Sequence, residues 1–358
     1  MPMNPRIAPT IMVAALMLAA IACNRQTTPQ QQQQHLPADA EPQLRHRVMF
    51  YNVENLFDPF NDSLKRDDEF TPEGTRHWTW YRMTQKLNGI YKVIMALGEM
   101  DPPVLVGLCE VENRLVLKQL TQNTPLGRYE YSIVHRESPD GRGIDVALLY
   151  RPDRFRLLEQ HFYSVHFPDA PERKSREILH ACGLLGRDTL HVFVNHWPSK
   201  YGGELETMSG RMAAAVTLRH KVDSIRIFYP QARILIMGDM NDEPEAMATV
   251  QGLGACLNDE GLCPGQLINI SAMLKARKQC SYKYKGTWGI IDHIIVSRSL
   301  LGGHGIHTSP DRAGVFAPDF LLEPDRAYTG QKPYRTYVGY KYIGGFSDHL
   351  PVYIDLIE

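Results

Sequence analysis

Six short segments each place oxygen- or nitrogen-bearing side chains at the end of an apolar run. They are Asn52-Val53-Glu54-Asn55, Glu110-Val111-Glu112-Asn113, Asn195-His196-Trp197, Asp239-Met240-Asn241-Asp242, Asp292-His293 and Ser347-Asp348-His349. One acidic residue after a strand is commonplace. Offered together, such tips read as a single site at the edge of a sheet. Their carboxylates and amides are hard oxygen donors, which suit Mg²⁺ first and Mn²⁺ second, and no Cys/His spacing suggests zinc. His196 and His349 add proton transfer near neutral pH. That combination is the chemistry of phosphate-ester hydrolysis.

Apolar runs must carry these tips. Alternating or unbroken apolar sequence predicts strands over 48–53, 104–110, 131–134, 145–150, 162–166, 178–184, 190–195, 234–237, 290–296 and 352–357. Val104-Leu105-Val106 and Ile234-Leu235-Ile236 are apolar throughout and should be covered on both faces. Leu87, Ile90, Ile94 and Leu97 share one helical face and stop at Gly98. A second helix is predicted near 114–122. A third runs near 209–228, where Ala214, Leu218, Val222 and Ile225 recur at helical spacing before Pro230. This alternation implies mixed sheets with helices outside them, in one domain. The Gly/Pro/Tyr-rich stretch 301–344 is then a long loop of the kind that covers a site.

A net charge of −1 over 358 residues gives no general basic field, although a local basic rim would serve a nucleic acid. Near the start, Arg6 precedes an apolar stretch over 11–21, too short to span a bilayer comfortably, and Ala20-Ile21-Ala22 lead into Cys23. This resembles a bacterial lipoprotein signal, with residues 1–22 removed and Cys23 lipidated. An uncleaved anchor and a plain secretory peptide are the alternatives. Each places the protein outside the cytoplasm, on the non-cytoplasmic side of the cell envelope. Residues 23–43, with a glutamine run from Gln30 to Gln34 and prolines at 29, 37 and 42, read as a tether. Residues 44–358 remain for the folded domain, expected to be monomeric. Cys256 and Cys263 suit a loop disulfide, with Cys280 able to compete for either. Cys109 and Cys182 read as buried hydrophobes.

The ordered set of segments supports a more specific reading. Asn52-Val53-Glu54-Asn55-Leu56-Phe57-Asp58, Glu110-Val111-Glu112-Asn113, Gly141-Arg142-Gly143-Ile144-Asp145, Asn195-His196-Trp197-Pro198-Ser199, Gly238-Asp239-Met240-Asn241-Asp242 and Ser347-Asp348-His349-Leu350-Pro351 follow one another from Arg47 onward. In order and spacing this resembles the endonuclease/exonuclease/phosphatase superfamily. The resemblance implies an α/β fold, a four-layered sandwich of two packed mixed β-sheets with outer helices, and a site at one rim between the sheets. It implies that Glu110 is the main metal carboxylate, with Asn52 and Asp348 on the metal side. Asp239 would orient the attacking water and Asn241 a phosphoryl oxygen. His349 would face the phosphate with its tautomer fixed by Asp292, and His196 would stand on the opposite flank. Arg142 suits phosphate contact through its planar fork. Lys200 and Trp288, with Tyr282 and Tyr284, would line the leaving-group side, where aromatics can stack a base.

The activity expected from this set is a Mg²⁺-dependent phosphodiesterase acting on nucleic acid by in-line attack of water. The same chemistry on sugar phosphates, inositides or sphingolipid head groups, as a phosphatase or phospholipase C-type enzyme, is the second expectation. A non-catalytic envelope binding protein is the third. Membrane contact would run through the lipid on Cys23.

Overall fold

The computed structural model of the chain describes residues 44–261, 263 and 266–358. The signal and tether expected over 1–43, Cys23 included, lie outside the described residues. Among the described residues no helix is long and apolar enough to cross a membrane.

The first half of the domain contains β1 (Arg45–Leu56), α1 (Trp80–Gly98), β2 (Leu105–Val111), α2 (Arg114–Asn123), β3 (Ser132–His135), β4 (Asp145–Tyr150), β5 (Phe155–Tyr163), β6 (Ile178–Leu185) and β7 (Asp188–His196). There follow α3 (Glu204–Phe228), β8 (Arg233–Asp239), β9 (Ala255–Cys256), β10 (Leu267–Asn269), α4 (Ile270–Ala276), β11 (Tyr282–Tyr284), β12 (Thr287–Gly289) and β13 (Asp292–Ser297). The remainder holds β14 (Ala313–Val315), β15 (Leu322–Pro324), β16 (Gln331–Pro333), β17 (Tyr337–Val338), β18 (Lys341–Tyr342) and β19 (Val352–Ile357).

Two open mixed sheets form, in the orders β14-β19-β1-β2-β4-β3 and β5-β6-β7-β8-β13-β10-β9. Side-chain alternation along each strand sorts the core into three zones. Val48 and Phe50 of β1 join Val192, Val194, Leu235 and Met237 of the second sheet in the layer between the sheets. Met49 and Tyr51 point the other way and pack with Ile90, Ile94 and Leu97 of α1 and Leu117 of α2. On the far side Phe193, Ile234 and Ile236 pack with Ala214, Leu218 and Val222 of α3. The expected four-layered sandwich is therefore present. Strand 104–106 and strand 234–236 read as unbroken apolar runs because each is covered on both faces.

Strand direction explains where the tips meet. β1 and β2 are parallel, as are β7 and β8, so Asn52, Glu110, His196 and Asp239 all come at strand ends on one rim. β13 and β19 run antiparallel to β8 and β1, so their beginnings lie at that same rim. This brings Asp292 opposite Asp239 and sets His349 just before β19.

Three expectations need correction. The strand expected over 162–166 is instead β5, Phe155–Tyr163. It is an edge strand whose residues 156–161 are largely exposed, so it lacks the apolar signal of a covered one. The third helix begins at Glu204, five residues before the expected Ser209, since its first turn carries no apolar face. The stretch 301–344 is not a bare loop. It adds β14 to the first sheet and folds β15–β16 and β17–β18 as small hairpins. A disulfide joins Cys256 to Cys263, leaving Cys280 free, and Cys109 and Cys182 are buried thiols.

Candidate active site

Both strands of the β1–β2 pair bend at their tips. Pairing slips between Asn52 and Leu56, and Glu54, Asn55 and Glu110 adopt left-handed backbone with φ of 51°, 57° and 61°. Such a conformation costs a residue with a Cβ roughly 1–2 kcal/mol. It is retained where surrounding contacts fix it, most often at functional sites. Here the bend presents Glu110 to the cleft, where Asn55 N–H donates to its Oε2 at 3.0 Å. Asn241 is left-handed as well, with φ 52°, and its own N–H donates to Asp239 Oδ1 at 2.8 Å.

Asn52 is the hub of the cluster. Its Nδ2 donates to Asp239 Oδ2 at 3.0 Å and lies 3.4 Å from Glu110 Oε1 and 3.5 Å from His349 Nε2. Its Oδ1 accepts from Glu54 N at 2.9 Å, which holds the amide in place. His349 Nδ1 donates to Asp292 Oδ2 at 2.8 Å, and Ser281 Oγ donates to the same oxygen at 2.5 Å. That leaves His349 Nε2 facing Asp239 Oδ2 at 3.9 Å. Across the cleft His196 Nε2 stands 3.8 Å from Asp239 Oδ2 and 3.9 Å from Glu110 Oε1.

The two imidazoles are held in opposite charge states. At His349 burial alone would lower the pKa, but the Asp292 contact, with Asp239 and Asp348 nearby, raises it well above the ordinary value. It is an imidazolium at neutral pH. Burial, with Arg176, Arg142 and His349 adding to the effect, lowers the pKa of His196 well below the ordinary value, its nearest carboxylate oxygen standing 3.8 Å away. His196 stays neutral. Burial pushes Asp239 up to about 7, against the pull of His349 and with Asp292 adding to the rise. Divergent titration of neighbouring groups is the signature of an acid–base site.

These groups open into a cleft of about 660 Å³. Arg142, Lys200, Asn241, Trp288 and Asp348 line it together with Glu110, His196, Asp239 and His349, so every expected site residue reaches it except the deeper Asn52 and Asp292. Some of these side chains are already engaged. Lys200 lies between Glu204 at 2.9 Å and Asp242 at 2.8 Å, and Asp348 pairs with Arg335 at 3.1 Å. Asn241 Nδ2 donates to Trp197 O at 3.0 Å. Tyr282 sits with its ring 4.8 Å from that of His349 and stacks on Tyr284 at 6.5 Å.

A divalent cation fits these residues. Glu110 and Asp239 offer carboxylates on either side of the Asn52 amide, and Asp292 Oδ1 is a buried oxygen without a hydrogen-bond partner. Asp239, Asp292 and His349 bring ligand-type atoms within 4.8 Å of one another. Two of those three are committed to each other through the 2.8 Å hydrogen bond. Glu110 is the freer carboxylate.

Sequence reading missed three residues. Arg176 is buried between Asp140 Oδ2 at 3.1 Å and Trp197 O at 2.7 Å. Arg335 bridges Glu54 Oε1 at 2.9 Å and Asp348 Oδ2 at 3.1 Å, and Ser281 supports Asp292. None stands at the tip of an apolar strand. Their roles exist only once distant segments meet.

Two packed sheets with carboxylates, amides and imidazoles gathered at one rim define a phosphoester-hydrolase framework. The chain belongs to the Endonuclease/Exonuclease/phosphatase family, whose profile matches residues 47–358. That family generally uses a divalent metal. Humanized D. rerio TDP2 superposes with a TM-score of 0.52 at 15% identity, over 87% of this chain and 98% of that one. A Bacteroides thetaiotaomicron mannosyl-6-phosphatase gives 0.53 at 17%, over 87% and 100%. The catalytic domain of human Nocturnin gives 0.52 at 17%, over 88% and 95%. At these identities the likeness is one of fold. No curated protein matches the sequence.

Proposed function

We propose that the chain is a Mg²⁺- or Mn²⁺-dependent phosphodiesterase acting on nucleic acid by in-line attack of water. The observation that carries the chemistry is the Asp292–His349 pair facing Asp239 across Asn52, with Glu110 alongside. Glu110 would hold the metal with Asn52 and Asp348 on its flank. When bound, such an ion offsets charge on the phosphoryl oxygens and the leaving oxygen. The chain's own groups do the rest. His349, charged and oriented by Asp292, donates a hydrogen bond to the phosphoryl group. Asp239, ionised for much of the time near neutral pH, accepts a proton from the attacking water. Asn241 and Arg142 brace the phosphate, and neutral His196 contacts its other side.

The leaving group meets Tyr282, Tyr284 and Trp288, a wall on which a base can stack. A second reading, a sugar or polyol phosphate, is favoured by Glu204 and Glu243 at the same cleft. Carboxylates there would accept from hydroxyls and repel a long polyanion. The N-terminal segment belongs to the same proposal, with lipid on Cys23 and residues 23–43 as a tether holding a monomeric enzyme at the cell envelope.

A substrate panel on the purified protein tests the assignment. An activated phosphodiester, a short single-stranded oligonucleotide and a sugar phosphate are each assayed with Mg²⁺, with Mn²⁺ and after exhaustive chelation. Activity restored by Mg²⁺ and strongest on the oligonucleotide is expected. Full activity after chelation defeats the metal role, and preference for the sugar phosphate selects the second reading.

A further inference from the structure

The left-handed bend at the tip of β1 is held by a segment from the other end of the domain. After β16, Tyr334-Arg335-Thr336 runs beside Ile343-Gly344-Gly345-Phe346, which follows β18. Ile343 N donates to Thr336 O at 3.0 Å, Gly345 N to Arg335 O at 3.1 Å and Phe346 N to Tyr334 O at 2.6 Å. Lys86 of α1, itself buried, pins both arms of this clasp, donating to Thr336 Oγ1 and to Phe346 O at 2.5 Å each. From the clasp two groups reach Glu54, 281 positions before Arg335 in the chain. Arg335 Nε donates to Glu54 Oε1 at 3.0 Å and Thr336 N to Glu54 Oε2 at 2.7 Å. Arg335 Nη2 lies 2.9 Å from the same Glu54 Oε1 and 3.1 Å from Asp348 Oδ2.

Glu54 is only 5% exposed, so its charge is tolerable there because a guanidinium faces it. Its backbone matters as much as its carboxylate. With φ at 51° its N–H turns back and donates to Asn52 Oδ1 at 2.9 Å. A side-chain amide has two ends of nearly equal shape, one donor and one acceptor. A backbone N–H can only donate, so this bond decides which end of Asn52 is which. The oxygen is taken, and Nδ2 is left to face Asp239 Oδ2, Glu110 Oε1 and His349 Nε2. Asp348, the other partner of Arg335, belongs to a turn tied to the same residue. Ser347 Oγ donates to Asn52 O at 2.7 Å, and His349 N donates to Ser347 Oγ at 3.1 Å.

We infer that Arg335 is a positioning residue for this site, an inference that rests on the hydrolase reading of the Asn52 cluster. By drawing Glu54 and Asp348 onto one guanidinium, it holds Glu54 in its left-handed turn and the Asn52 amide with Nδ2 toward Asp239 and His349. It acts through Glu54 and not on the reacting phosphate. The task calls for a planar fork, since two carboxylates on separate segments must be met by N–H groups of fixed direction. Without Arg335, Thr336 N alone would hold Glu54, and the Glu54 and Asp348 carboxylates would repel each other across the gap. The turn at Glu54 would then relax, and the amide of Asn52 would lose its fixed sense.

The test compares the full chain with its Arg335→Ala and Arg335→Lys variants on an activated phosphodiester at saturating Mg²⁺. Arg335→Ala should lower kcat roughly a hundredfold while KM stays within about twofold. Arg335→Lys keeps the charge without the fork and should stand roughly tenfold below wild type. Free guanidinium ion, added well below denaturing concentrations, should restore part of the kcat of Arg335→Ala. An unchanged kcat overturns the inference. So does a raised KM with kcat intact, because Arg335 would then be a substrate contact. A second measurement needs no turnover. The side-chain amide resonance of Asn52, assigned by its loss in Asn52→Asp, should move in Arg335→Ala and return toward its wild-type position in Arg335→Lys. A resonance that stays in place overturns the inference, even in a protein that hydrolyses no phosphoester, an outcome that by itself sinks only the hydrolase reading. Should Arg335→Ala fail to fold, Arg335→Gln takes its place in both measurements.

Discussion

His349 shows how one side chain's chemistry depends on what surrounds it. Its partner Asp292 both orients the ring and keeps it charged, so the two should fail as a unit. His349→Ala is expected to lower kcat on the order of a thousand-fold, and Asp292→Asn somewhat less. The double variant should be little worse than His349→Ala, whereas independent residues would give multiplied losses. Circular dichroism checks that each variant folds. A second histidine makes a prediction about stability instead. His180 is buried against His191, with 3.1 Å between His180 Nε2 and His191 Nδ1, and burial together with His191 and His161 pushes its pKa down to about 3. Its neutral form is favoured by folding, so this contribution is complete above the unfolded value near 6.5 and is lost as pH falls toward 3. Between pH 6.5 and 5 the wild type should lose up to about 1.4 kcal/mol per pH unit from this group. His180→Phe should flatten that slope in denaturant titrations, and an unchanged slope would refute the assignment. At this scale the sequence was informative where a residue stood at one end of an apolar strand, as with Asn52, Glu110, Asp239 and Asp292. It was silent on Arg176 and Arg335, whose partners lie far away in the chain.

Among the elements, β7 and β8 carry His196 and Asp239 side by side, and their approach is set by a residue without a side chain. A Cβ at Gly238 would fall 2.5 Å from Asn195 O and 2.6 Å from Asn195 Cβ. Gly238→Ala must therefore push the two tips apart by some tenths of an ångström at least. A tenfold or greater drop in kcat is expected, with KM nearly unchanged, because proton-transfer geometry is more exacting than binding. Equal kcat in steady-state assays would show that the strand separation is slack. Covered elements were the legible ones. β2, β8, α1 and α2 declare themselves through apolar sequence, and Asn113 marks its helix start by accepting from Leu115 N and Val116 N at 2.8 and 3.1 Å. The edge strand β5 and the short hairpins β15–β16 and β17–β18 bury too little to leave a pattern. Their form is imposed by what they pack against.

At the scale of the whole molecule, the sequence pattern announced mixed sheets with helices outside them, whereas the four layers were implied by the family resemblance and are present in the fold. The N-terminal expectation has its own test. Mass spectrometry of the membrane fraction should find Cys23 as the first residue and carrying lipid, and Cys23→Ser should release a protein whose turnover in solution is unchanged. Cleavage elsewhere would defeat that proposal. The course of β1 adds a matter of polarity. Leu44 and Arg45 enter the sheet beside Ile357 and Glu358, while Asn52 lies seven residues further along the strand, roughly 23 Å away. Whatever holds the protein by its N-terminal segment thus grips it at the pole opposite the cleft.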